Sequence, residues 1–171
     1  DRAYVSFSNL TVGRMGSLAD IAGTNADTYG SNLGGGTGIG ARYDMPLGTS
    51  TLSLAVENAA DNNVDDSGTI TNPASDRPDL LVGLKSALGP VNVNIVGVSH
   101  QATMWRDDNK SPETTEGYAI LGRLGVSAGG FGVAVFGGAA NAASAYVTDV
   151  SATGIEDYTS NGQDNVSSAT N

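Results

Sequence analysis

Four times over, this chain builds one unit: two short runs alternating apolar and polar residues, a tight turn between them, then a long polar stretch without strand pattern. The first instance is Ala3–Ser17, AYVSFSNLTVGRMGS. There Ala3, Val5 and Phe7 share one parity, and Arg2, Tyr4, Ser6 and Ser8 the other. A period of two gives a strand one apolar and one polar face, and a joint as short as Ser8-Asn9 makes the strands hairpin neighbours. The spacing predicts further hairpins over Gly38–Ala59, Asp79–Gln101 and Gly117–Gly138, with turns centred on residues 9, 47, 89 and 129 and separated by 38, 42 and 40 residues. A propeller also repeats near 40 residues, but each blade needs four strands per period. Two strands per period, short turns at one end and long connections at the other describe an up-and-down antiparallel barrel of the outer-membrane type.

The side chains agree with that choice. One face carries Leu, Val, Ile, Ala, Phe and Tyr; the other carries Arg42, Asp44, Glu57, Lys85, Asn92, Asn94 and Arg123 among small residues. Arg or Lys at the bilayer midplane costs roughly 2–4 kcal/mol if it faces lipid, so this polar face has to line water. A soluble sandwich would show the same alternation with its apolar face inside, but not such regular asymmetry between turns and loops. Trp105 and Tyr118 near loop ends, and Tyr43 near a turn end, fit aromatic girdles. The long connections 59–78, 102–116 and 139–171 read as extracellular loops, and residues 1–171 as one incomplete barrel domain.

Composition narrows the function. Glycine supplies 24 of 171 residues, and charged residues only 15% where soluble domains carry roughly 25%. Eighteen acids against eight bases leave a formal charge of −10, which argues against nucleic acid, because nothing would neutralise phosphates. Without cysteine there is no disulfide, thiolate metal site or cysteine nucleophile. Leu124–Thr148 lacks charge and is long enough to span a bilayer at about 20 residues. Its six glycines, at roughly 1 kcal/mol each in a helix, and its alternation around Gly129-Gly130 exclude a helix. The opening on Asp1-Arg2, directly into a strand, and the loop-like Asn165–Asn171 suggest an internal segment of a longer protein.

The run AYVSFSNLTVGRMGS resembles the hairpin that precedes the inward-folded third loop of general porins of the alphaproteobacterial type. Tyr4-Val5, Phe7 and Thr11-Val12-Gly13-Arg14 carry the match, and GTGIGARYDMPLGTSTLSLAVENA looks like the hairpins that follow it. The likeness runs through nearly the whole chain but is specific only in the first fifteen residues. It implies an all-β, transmembrane, trimeric channel of sixteen strands in a Gram-negative outer membrane, of which this chain would hold about eight. The chain has neither a terminal aromatic strand nor a barrel start, so an open sheet or a smaller closure is expected. The resemblance also implies that residues 18–37 fold into the lumen and constrict it, bringing Asp20 and Asp27 opposite Arg14, Arg42, Lys85 and Arg123. Acids facing bases across a pore set a transverse field that orients solutes. Asp44 and Glu57 share the polar face and join this lining, whereas Arg14 shares its parity with Leu10 and Val12 and suits the rim.

Three other constellations carry less. Gly34–Gly40, GGGTGIG, lacks the Lys-Ser/Thr and the helix of a phosphate loop. Asp61, Asn63 and Asp65 alternate as calcium ligands do, but Asp66 stands where the turn glycine belongs and Asn72 where a glutamate is wanted, leaving at most a weak surface cation site. Ser99 and His100 are adjacent on a strand, so they point to opposite faces and cannot act as a nucleophile and base. The expectation is therefore a non-enzymatic porin without cofactor or resident metal. Its partners would be outer-membrane lipid, small hydrophilic solutes and ions, and two further copies of itself. The alternatives are a non-channel surface or adhesion β-protein and a soluble lectin-like β-sandwich.

Overall fold

The computed structural model describes residues 2–21, 37–58, 77–105, 112–141, 143, 146–147 and 168–170. Nine strands follow one another: β1 (Ala3–Phe7), β2 (Leu10–Gly16), β3 (Thr37–Leu47), β4 (Ser50–Glu57), β5 (Asp79–Leu88), β6 (Val91–Trp105), β7 (Pro112–Ala128), β8 (Phe131–Asn141) and β9 (Ser168–Thr170). They form one antiparallel sheet in chain order, open between β1 and β9. A sandwich needs two packed sheets; the described residues form a single one.

The four hairpin turns are two residues long: Ser8-Asn9, Gly48-Thr49, Gly89-Pro90 and Gly129-Gly130. Such turns keep the strands' right-handed twist only when one or both central residues adopt positive φ. Gly129 and Gly130 both do so, at 59° and 86°. Before Pro90, whose ring forbids positive φ, Gly89 carries it alone at 62°. At the other end, β6 and β7 run further than the alternation suggested. Ala102–Trp105 and Pro112–Glu116 are paired strand rather than loop, so the connection expected over 102–116 shrinks to 106–111. The loop expected over 139–171 likewise gives Ala139–Asn141 to β8 and Ser168–Thr170 to β9.

Register sorts the side chains onto two faces. One cross-strand row reads Leu10, Tyr43, Leu54, Val82, Gly97, Ile120 and Ala139; its neighbour reads Thr11, Arg42, Ala55, Leu81, Val98, Ala119 and Ala140. The first row belongs to a bare face, where 22 large apolar side chains stand exposed, up to Phe131 at 84%. The second belongs to a covered face. Two segments outside the strands lie on it: Leu18–Ile21, just after β2, and the group Ala143, Tyr146 and Val147, after β8. The apolar core sits between those segments and the sheet, with Val96 and Leu121 fully buried. Burying such a side chain stabilises by about 1.5–3 kcal/mol, so the segments hold to the sheet chiefly through this packing.

Candidate functional site

The covered face is banded along the strands. At the loop end, Gly40, Glu57 and Asp79 follow one another across β3, β4 and β5, with His100 on β6 beside Asp79 and Gly117 on β7 beside His100. Two rows toward the turns are mainly apolar, through Ala55, Leu81, Val98 and Ala119 and then Gly83, Val96 and Leu121. The next row is Thr51, Lys85, Asn94, Arg123 and Phe136.

The acidic end anchors both covering segments. Glu57 is buried, and its carboxylate accepts the Leu18 backbone N–H at 2.7 Å. Leu18 then rests on Gly83, where an added Cβ would lie 3.2–3.3 Å from three of its side-chain atoms. Only a glycine leaves room for the segment to sit so close. Asp79 is 1% exposed; it bonds His100 Nδ1 at 2.8 Å, and the Tyr146 hydroxyl donates to its other oxygen. The His100 and Tyr146 rings meet edge-on, with centroids 6.2 Å apart. Burial first, then the hydrogen bond to Asp79 and the charges of Asp79 and Glu57, push the Tyr146 hydroxyl well above its ordinary pKa of 10.0. It therefore remains a donor. Val147 packs over Gly138, whose absent Cβ would come within 3.1 Å of it. Nearby, Arg77 pairs with Glu116 and donates to Ser99 Oγ at 3.2 Å and the His100 carbonyl at 3.3 Å.

The residues expected to line a pore divide. Arg42, Asp44, Glu57, Lys85 and Arg123 all lie on the covered face. Arg42 is neutralised by its own neighbour, its Nε 3.2 Å from Asp44 Oδ2, while Ser53 donates to Asp44 at 2.5 Å. Asp20 lies within the covering segment, its N–H on the Ser17 carbonyl at 3.2 Å. Arg14 is a correction. It pairs with Ile39 on the bare face and is exposed, because strand parity keeps it with Leu10 and Val12. Asp27, Asp61, Asn63 and Asp65 lie outside the described residues. Asp79, His100, Tyr146 and Asn94 were absent from the expected set. Asp79 shares parity with Lys85, which marks its face, but only the cross-strand register brings it beside Glu57 and His100.

The fold is that of an outer-membrane β-barrel opened into a sheet: all-β, antiparallel and up-and-down, with tight turns at one end and long connections at the other. Among solved structures, the chain is similar to the outer membrane channel DcaP of Acinetobacter baumannii, with a TM-score of 0.57 and 17% sequence identity. The match covers 82% of this chain and 40% of that one, so the chain spans about two-fifths of that channel's length. No family model and no curated protein matches the sequence. The likeness accordingly supports a porin-like fold without singling out the alphaproteobacterial general porins.

Proposed function

We propose that the chain is part of an outer-membrane porin of a Gram-negative bacterium that passes small hydrophilic solutes and ions by diffusion. The observation that carries this reading is the division of the sheet. One face is a continuous apolar surface that only hydrocarbon or another protein would cover, since soluble proteins rarely expose more than a few hundred Å² of contiguous apolar surface. The opposite face holds the strand charges at Arg42, Asp44, Glu57, Asp79, Lys85 and Arg123. The likeness of fold to an outer membrane channel supports the same reading. Residues 18–37 would form the constricting segment, supported by the way Leu18–Ile21 turns onto the polar side of the sheet. A homotrimer related to the alphaproteobacterial general porins is the finer form of the proposal.

Planar-bilayer recordings and liposome swelling on the full natural chain test it. Stepwise conductance with uptake of small sugars is expected. Stable insertion without conductance would overturn the channel reading in favour of a non-channel surface protein.

A further inference from the structure

The formal charge of −10 suggests a surface that favours cations, yet the covered face keeps two cations that nothing offsets. Among the described residues the ion pairs are Arg42–Asp44, Arg77–Glu116 and His100–Asp79. Lys85 and Arg123 take part in none of them. They flank Asn94 in a single cross-strand row, Lys85 opposite Asn94 on one side and Arg123 opposite it on the other. Strands lie about 4.8 Å apart, so the two cationic residues start about 10 Å apart, within joint reach of one small anion over Asn94. Arg123 Nε is buried without a hydrogen-bond partner, and Thr51 continues the row beside Lys85 with a hydroxyl. Guanidinium, ammonium, amide and hydroxyl donors suit the oxygens of a carboxylate, which a guanidinium can bind in two-pronged fashion.

Position matters as much as chemistry. Lys85 stands six residues along β5 from Asp79, or roughly 20 Å at the rise of an extended strand. Glu57 and Asp79 occupy the loop end of the face and Lys85 and Arg123 the turn end, with the apolar rows beneath Leu18–Ile21 between them. Charge is thus divided along the strands rather than across the opening.

We infer that Lys85, Asn94 and Arg123 form a station for small carboxylate anions on the turn side of the constricting segment, opposite in sign to the protein's net charge. The inference rests on the channel reading above. It is tested by recording chloride currents through the full chain while adding succinate to either side of the bilayer. Succinate is expected to block, with a lower blocking concentration from one side than from the other. In Lys85→Gln/Arg123→Gln the block weakens at least about tenfold, the equivalent of losing one charge-assisted hydrogen bond, and reversal potentials in a KCl gradient shift towards potassium. Lys85→Arg/Arg123→Lys keeps the block, and so does Arg42→Gln, whose charge is already compensated. A double variant that conducts has folded, and block within twofold of the parent would overturn the inference while leaving the channel in place. If the double variant fails to insert, Arg123→Gln and Asn94→Leu read the same block singly, with the same criterion. Parent protein that inserts and never conducts would overturn the channel reading itself.

Discussion

Replacing Tyr146 with Phe removes one hydroxyl and nothing else from the contact that holds the segment after β8 against the sheet. The ring keeps its buried position over His100, and His100 keeps its 2.8 Å bond to Asp79. What disappears is the hydrogen bond from Tyr146 to the second carboxylate oxygen, on an aspartate with 1% exposure that water cannot rescue. A hydrogen bond to a charged group contributes about 1.5–3 kcal/mol. At 1.36 kcal/mol per factor of ten, undocking of this segment becomes about 12- to 160-fold more frequent. Hydrogen exchange read by mass spectrometry follows it at the Tyr146 amide, which is held by the Ala143 carbonyl at 3.1 Å. Exchange there should accelerate by that factor while the amides of Val96 and Leu121 stay protected. The raised pKa of Tyr146 adds a pH signature. The docked form keeps the proton, and the undocked form loses it above its ordinary pKa near 10. Docking is therefore at full strength below pH 10 and weakens by about 1.4 kcal/mol per pH unit above it. Tyr146→Phe should abolish that slope. Equal exchange in parent and variant at neutral pH would refute the assignment of Tyr146 as the latch.

Two further substitutions probe the other surfaces. Glu57→Ala leaves the Leu18 N–H without its acceptor, a loss of about 1–3 kcal/mol; limited proteolysis within Leu18–Ile21 should accelerate about five- to hundredfold, and an unchanged cleavage rate would remove Glu57 as the anchor. Leu54→Arg places a charge in the middle of the bare face. In lipid vesicles it should lower folding stability by about 2–4 kcal/mol if that face meets hydrocarbon, whereas a urea midpoint equal to the parent's would argue that water bathes it.

Much of this architecture is written in local chemistry. Alternation at Ile39–Asp44, Leu80–Lys85 and Tyr118–Val126 assigns each side chain to a face, because a strand's period of two leaves no third option. Gly129-Gly130 and Gly89-Pro90 set their turns by backbone freedom alone. The same parity places Lys85 and Arg123 together and sends Arg14 to the other side, whatever role a family likeness assigns it. Where alternation blurred, at Val96-Gly97-Val98, the cause is tertiary. Val96 and Val98 lie on the polar-side face but beneath Leu18–Ile21 and the Tyr146 segment, where an apolar residue is favoured.

What the sequence determined by itself is the set of strands, their faces and their turns, because each depends on neighbours one to four residues away. Register and the return of distant segments onto the sheet belong to the tertiary structure. Nothing near Asp79 in the chain announces His100, 21 residues on, or Tyr146, 67 residues on. Nor does anything near Lys85 announce Asn94 and Arg123, which only antiparallel pairing sets in line with it. Contacts across strands depend on how each hairpin is aligned with the next, and a shift of one residue would send every charge to the opposite face. The separation of acid from base along the strands is therefore a property of the folded sheet.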